Sequence, residues 1–332
     1  MQRIVTVPGC LLATLILTML LPGLLLLALL ASIWRPCRGA VPTLLFVTGY
    51  AWCETIGIVC AAWVWLRFRN QSQAFLDANY RLQYWWAGAL KSLAHTLFRL
   101  DFEVDGSSAL EGAPALVLPR HASIADTVIP MVFYAIPRQI RLRYVLKREL
   151  LFDPCLDIVG NRLPNYFVER GGSDTERAAQ GVTALVRSIG PSEGVLIYPE
   201  GTRSSTGKRR ALSERYAQSP AMMEQLKRWP DLLPPRLTGT LALLGANPGR
   251  DLLFCAHTGF EGSSHFATLM NGSWLGAKIR IRFWRIPFAD IPTSRDAMVD
   301  FLFTQWDRMQ REVRTLTQSS NASRTSACAA EP

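Results

Sequence analysis

The chain is expected to fold as an α/β protein, a mixed sheet flanked by helices and preceded by an N-terminal two-helix membrane hairpin. Three observations carry that expectation. From Ala115 onward, short apolar segments of strand length alternate with stretches of helical spacing. Several of these segments run straight into charged or glycine-bearing turns, where the strand ends of an open α/β sheet face a ligand crevice. The first 66 residues, by contrast, hold two long apolar runs with little charge.

Taken in order, Val5 to Ile33 is uncharged and Val41 to Leu66 has Glu54 as its only charge. Each run is long enough to cross a hydrocarbon layer of ~30 Å. A signal peptide has a shorter apolar core, and no second run would follow it. Arg3, Arg35, Arg38, Arg67 and Arg69 flank the runs on every side, so charge asymmetry guides orientation weakly. The expected arrangement over residues 1–70 is a hairpin with both ends cytoplasmic. Its rival is a re-entrant or interface-lying hairpin, because Arg35 and Arg38 in so short a link resist translocation. Gln71 to Arg99 places Phe75, Tyr80, Trp85, Trp86, Leu90 and Leu97 at helical spacing among Arg81, Lys91 and Arg99. Residues 71–100 therefore read as an amphipathic interfacial helix, or equally as a helix covering the core of the next domain. Residues 101–316 form the expected catalytic domain. Residues 317–332, small and polar, form an expected disordered tail.

Of the formal charge of +10, residues 1–66 contribute three basic and one acidic side chain, leaving +8 for the rest. No nucleic-acid-binding motif accompanies that charge, whereas apolar membrane segments do. An anionic membrane surface and phosphate-bearing substrates account for it, and nucleic acid is not an expected partner. The seven cysteines lack paired spacing and read as reduced thiols; the four histidines (95, 121, 257, 265) lack metal-ligand spacing.

The run Ala115 to Leu118 predicts a buried strand, so His121 falls just past its end. Asp126 follows five residues later. Within one helix two such residues would point about 140° apart, so they meet only if a turn intervenes. A helix is expected over Thr127 to Ala135, opened by Ser123 and Asp126 in a capping pattern. In that geometry the carboxylate fixes the imidazole tautomer and makes the histidine a general base. The spacing by itself fits a capping aspartate beside a loop histidine as well. Ile140 to Leu146, Tyr166 to Val168, Gly194 to Tyr198, Asp251 to Phe260 and Ala277 to Ile286 predict further strands. Helices are predicted from Ser173 to about Ser188 and from Thr293 to Leu316, and Ser204 to Arg215 is expected as a basic loop. Two strand ends repeat one arrangement, an arginine beside glycine: Arg170 with Gly171, and Arg203 after Gly201 and Thr202. Guanidinium groups bind phosphate bidentately, and neighbouring glycine lets backbone N–H groups approach the same anion. Either arginine alone also fits a solvated surface charge.

Three of these segments together resemble the membrane-bound glycerophospholipid acyltransferases, of which the lysophosphatidic acid acyltransferases (1-acylglycerol-3-phosphate O-acyltransferases) are the best-known type. The histidine and aspartate of that family's first motif match His121 and Asp126. Phe167-Val168-Glu169-Arg170 matches the second, and Tyr198 to Arg203 the third, with tyrosine for the usual phenylalanine. Leu233 to Gly239 resembles a fourth, proline-containing motif, and Arg285 to Pro292 a stretch of the eukaryotic-type branch. Arg120 stands where asparagine usually precedes the histidine.

The resemblance implies acyl transfer from a thioester to the hydroxyl of a lysophospholipid, lysophosphatidic acid first. His121 would be the base and Asp126 its orienting partner. Arg170 and Arg203 would clamp the acceptor phosphate, with Lys147 as a further contact, while Glu200, Gly201 and Thr202 position the acceptor. No metal or cofactor is implied; acyl-CoA or acyl carrier protein is the co-substrate and membrane lipid the partner. The implied location is the inner membrane, with the catalytic domain on the cytoplasmic face. Another lysophospholipid or an aminoacyl lipid as acceptor, and a non-enzymatic binder of anionic lipid, are the alternatives. A serine hydrolase is disfavoured by the lack of a nucleophile elbow.

Overall fold

The computed structural model describes residues 2–169, 175–261, 263 and 266–329. Its regular elements, in chain order, begin with α1 (Gln2–Ala31), α2 (Ala40–Phe68), α3 (Ser72–Phe98), β1 (Asp101–Asp105), β2 (Leu116–Pro119), α4 (Ile136–Arg138), β3 (Arg141–Lys147), α5 (Pro154–Gly160) and β4 (Tyr166–Val168). They continue with α6 (Thr175–Arg187), β5 (Glu193–Leu196), α7 (Thr206–Arg215), α8 (Pro220–Arg228), α9 (Leu237–Gly245), β6 (Leu252–Thr258), β7 (Lys278–Ile286) and α10 (Arg295–Ala329). The result is a mixed sheet with flanking helices after two long apolar ones. Two compact units emerge: Met1–Leu100 with Thr127–Ser173 and His265–Ala277, and Asp101–Asp126 with Asp174–Ser264 and Lys278–Pro332.

The first unit is mainly helical and carries the parallel pair β3 and β4. α1 and α2 are long and apolar enough to cross a membrane. They are not equivalent, since 6% of the most apolar stretch of α1 is buried against 33% of that of α2. The inner helix, α2, carries Glu54 toward the protein, where it accepts from Trp86 Nε1 at 2.7 Å and from Cys155 N at 3.1 Å. The lone charge of the apolar run is thus buried with partners, as a buried carboxylate requires. Ile58 and Ala61 of α2 join Tyr80, Leu82, Cys155, Val159 and Leu163 in one core cluster. α2 is held by this same unit both at its start and in its second half. At its start, Gly39 N donates to Met270 O at 2.8 Å, and a Cβ on Gly39 would lie 2.2 Å from Leu269 O. Toward its end, Arg162 Nη1 donates to Ala61 O at 2.8 Å. The start of α1 is tied as well, Arg3 Nε reaching Asp157 Oδ2 at 2.7 Å.

In the second unit the strands run β1-β7-β6-β2-β5. Only the β6–β7 pair is antiparallel, the other three pairs being parallel. β2 and β6 are buried along their whole length, which explains their near-continuous apolar sequence. Three elements depart from expectation. Ser204 to Arg215 is not a loop, for Ser205 Oγ accepts from Lys208 N at 3.3 Å and opens α7. Arg209 then fixes this helix by donating to the carbonyls of Leu226, Trp229 and Leu232 at 2.5, 2.7 and 2.5 Å. α10 also continues past Leu316 to Ala329. No glycine or proline interrupts that extension, although Leu316 is its last buried hydrophobic residue among those whose side chains are described. The helix expected after Asp126 is irregular: a 3-10 turn at Ala125–Thr127, then a π turn at Met131–Ala135 leading into α4.

Candidate functional site

β2 delivers its chain end into the second unit's site. Arg120 N continues the ladder to Cys255 O at 2.9 Å, and the next residue, His121, turns its amide to Glu200 Oε1 at 2.6 Å. The His121 ring has Nδ1 3.1 Å from Asp126 Oδ2 and stacks on Tyr198, centroids 4.3 Å apart. Asp126 is a cap and a partner at once. Its Oδ2 accepts from the amides of Ala122 and Ser123, and its Oδ1 accepts from Ser123 Oγ at 2.5 Å. The turn that separates His121 from Asp126 in sequence is therefore closed by the carboxylate that meets the imidazole.

Asp126 also lies against a residue that sequence reasoning missed. His257 Nε2 is 3.4 Å from Asp126 Oδ1 and 3.3 Å from Arg120 O, and its Nδ1 is buried with no hydrogen-bond partner among the described residues. Burial pushes the Asp126 pKa up, but the charge of His257, the hydrogen bond and charge of His121, and the Ser123 donor outweigh it. The carboxyl is held well below the usual range, so it is ionised at neutral pH. The available signal was a histidine inside the otherwise apolar segment Leu252 to Ala256 and its continuation.

The turn after β5 holds the next four expected residues. Glu200 is buried and uses both oxygens on backbone, Oε1 on His121 N and Oε2 on Leu233 N at 2.9 Å. Burial raises its carboxyl to about 8 against the opposing effects of these two amides and Arg120. Gly201 has φ +63°, and a Cβ there would sit 2.6 Å from Arg236 Cδ; only glycine combines that backbone with so close a neighbour. Thr202 Oγ1 accepts from Lys208 Nζ at 2.5 Å. Arg203 is half-buried, and the following amide, Ser204 N, donates to His121 O at 2.7 Å. The turn is thus bonded to His121 at two points of its backbone. Arg236, lying over Gly201, is exposed and its guanidinium has no partner among the described residues. Lys147 closes β3 in the first unit. Arg170 lies outside the described residues.

Arg120 has a structural role. It is 3% exposed and donates to His257 O at 2.5 Å, Glu261 Oε1 at 2.6 Å and Asp231 O at 3.2 Å. Its charge is matched inside the fold by a carboxylate and carbonyls, as burial of a guanidinium demands.

The family model described as Acyltransferase matches residues 101–227. The lyso-ornithine lipid O-acyltransferase of Pseudomonas aeruginosa is 29% identical over 150 residues. Residues 101–227 thus carry an acyltransferase-type domain. That relative is matched over 45% of this chain and 52% of its own, so the chain spans about half the length of the curated relative it matches. The crystal structure of the 1-acyl-sn-glycerophosphate (LPA) acyltransferase PlsC from Thermotoga maritima is similar at a TM-score of 0.54 and 16% identity, covering 84% of this chain and 99% of that one. At that identity the likeness concerns the fold. The acyltransferase domain contains His121, Asp126 and the Glu200 to Arg203 turn.

Proposed function

We propose that the protein transfers an acyl group from an acyl thioester to the free hydroxyl of a lysophospholipid, with lysophosphatidic acid as acceptor. The observation that carries this reading is the buried Asp126 carboxylate 3.1 Å from His121 Nδ1, in a loop bonded to the turn that bears Arg203. With Nδ1–H directed at Asp126, His121 takes the acceptor's hydroxyl proton on Nε2. The oxygen attacks the thioester carbonyl, the C–S bond breaks, and the departing thiolate recovers the proton. Asp126 stabilises the imidazolium between those steps. Glu200 is a positioning residue here, since its oxygens hold the amides of His121 and Leu233. Arg203 and Arg236 bind the acceptor phosphate, and Gly201 and Thr202 shape the turn beneath it. Acyl-CoA or acyl carrier protein supplies the acyl group.

The hairpin lies in the membrane surface in this reading. A helix spanning ~30 Å of hydrocarbon leaves one end on the far side, whereas Gly39, just before α2, and Ala61, in its second half, are both bonded within one unit. This arrangement supports the interface-lying form over the spanning one and allows a cytoplasmic domain at the inner membrane. A second acceptor, a lyso-ornithine lipid, is favoured by the name of the Pseudomonas relative; its carboxylate would meet the same guanidinium groups.

The purified protein should be given lysophosphatidic acid, lyso-ornithine lipid and phosphate-free monoacylglycerol, each with both donor types. Release of free thiol together with diacylated product is expected first for lysophosphatidic acid. Arg203→Ala should raise the acceptor KM about ten- to a hundredfold, the worth of one charge-assisted contact, and leave the donor KM nearly unchanged. Preference for lyso-ornithine lipid would replace the acceptor. Lipid binding without thiol release would leave a non-enzymatic binder.

A further inference from the structure

A cavity of about 500 Å³ lies in the first unit where α2 begins and α3 ends. Val41 and Leu45 of α2, Leu97 of α3 and Leu275 supply apolar walls, and Arg99 is its only charged lining residue. The volume is that of a small-molecule site. Its walls are braced: Gly276 N donates to Phe98 O at 2.8 Å, and Phe98 packs edge-on against Trp274 and Phe46 with centroids 5.3 and 5.7 Å apart.

Arg99 itself is unusual in two respects. It caps α3 in the left-handed conformation, φ 54° and ψ 46°, a position where glycine is least strained because an L side chain crowds its own backbone. It is also exposed, and its guanidinium has no hydrogen bond or ion pair among the described residues. A wholly apolar ligand would ignore that cation, and a small anion would find nothing to contact in the apolar walls. Both features are used by an amphiphile with a hydrocarbon chain and a negative head. α2, which forms one wall, is also one of the two helices apolar enough for a membrane, so such a ligand has a ready source.

We propose that this cavity takes an acyl chain of an anionic bilayer phospholipid whose phosphate pairs with Arg99. The lipid is bound, not turned over, and none of the lining residues belongs to the machinery around His121. The proposal rests on the reading that the hairpin meets the membrane. A lipid with net negative charge is preferred because the phosphate of a zwitterionic lipid already has its own ammonium nearby.

The test is thermal unfolding of the full chain in neutral maltoside micelles, titrated with phosphatidylglycerol, phosphatidylcholine or inorganic phosphate. Phosphatidylglycerol should raise the unfolding midpoint saturably, as any ligand of the folded state does, while the other two should not. Arg99→Gly should leave the lipid-free midpoint equal or higher, because glycine removes the left-handed strain, yet weaken the apparent phosphatidylglycerol affinity about ten- to a hundredfold. Arg99→Lys should retain most of the response, and Leu45→Trp, which fills the cavity, should lose it with Arg99 intact. An Arg99→Gly protein that responds like wild type overturns the proposal, as does an equal response to phosphatidylcholine or to inorganic phosphate alone. Flotation with pure phosphatidylcholine vesicles separates the underlying reading: wild type and Arg99→Gly should float equally, and failure of both would remove the membrane hairpin whatever the micelle titration gives.

Discussion

One carboxylate, Asp126, closes a turn through two backbone amides and a hydroxyl, and also contacts both His121 and His257. Asp126→Asn keeps an acceptor for the turn but loses the charge that stabilises an imidazolium. Turnover should fall on the order of a thousandfold or more with little change in the unfolding midpoint; normal turnover would leave Asp126 as a cap alone. His257→Ala removes the second imidazole contact from that carboxylate and leaves Asp126 to His121. The acid limb of the kcat/KM profile should then move upward, on the order of one pH unit or less, and His257→Gln should restore part of it. An unmoved profile would make His257 a packing residue. Glu200 gives a pH dependence of stability. Its folded carboxyl, raised to about 8 from 4.5, binds protons more tightly than in the unfolded chain. Its contribution is therefore full below about 4.5 and lost as pH rises through about 8. Glu200→Gln cannot titrate, so urea unfolding between pH 5 and 9 should show a flatter decline than wild type, at a lower overall level because one backbone amide loses its acceptor. Adjacent residues differ in how readable they were. His121 and Asp126 were visible from spacing and resemblance, whereas His257 was not, because β6 and β2 become neighbours only through the sheet.

At the scale of elements, α2 was visible from hydropathy and its burial was not. Its start is wedged against backbone, where a Cβ on Gly39 would lie 2.2 Å from Leu269 O and 2.8 Å from Gly272 N. Backbone cannot swing aside as a side-chain tip can, so Gly39→Ala should destabilise by about 1–3 kcal/mol, read as a lowered denaturation midpoint with the acyl-transfer KM values unchanged. A neutral substitution would mean that this contact yields freely. α7 shows the opposite difficulty. Its polar, basic composition resembles a loop, and what makes it helical is the Ser205 cap together with Arg209 reaching three carbonyls at and beyond the end of α8, contacts that no local pattern announces.

For the whole molecule, the two apolar helices call for different truncations. α1 has many exposed leucines and is tied through few groups, chiefly Arg3 to Asp157 and Thr14 to Ala51 O. Removing residues 1–34 should lower partition into vesicles while leaving a cooperative unfolding transition. Removing residues 1–66 also deletes Phe46, Ile58, Ala61 and Glu54, all buried, and uncovers the core of the first unit; aggregation is expected. Analytical gel filtration in detergent with vesicle flotation checks both. A soluble, folded chain lacking residues 1–66 would show that α2 is an appendage.

By itself the sequence determined most of the strands, the apolar front and the three motifs that carry the resemblance to the acyltransferases. Each of these is local: period, cap, turn or a short run of residues carries it. Tertiary structure alone decided that Glu54 points inward to Trp86 and Cys155, that Arg120 is buried on His257 and Asp231 carbonyls, and that Glu200 bridges the amides of His121 and Leu233. Those contacts join residues 32 to 137 positions apart. Burial sets their worth, because a polar or ionised group removed from water must find its partners wherever the fold places them.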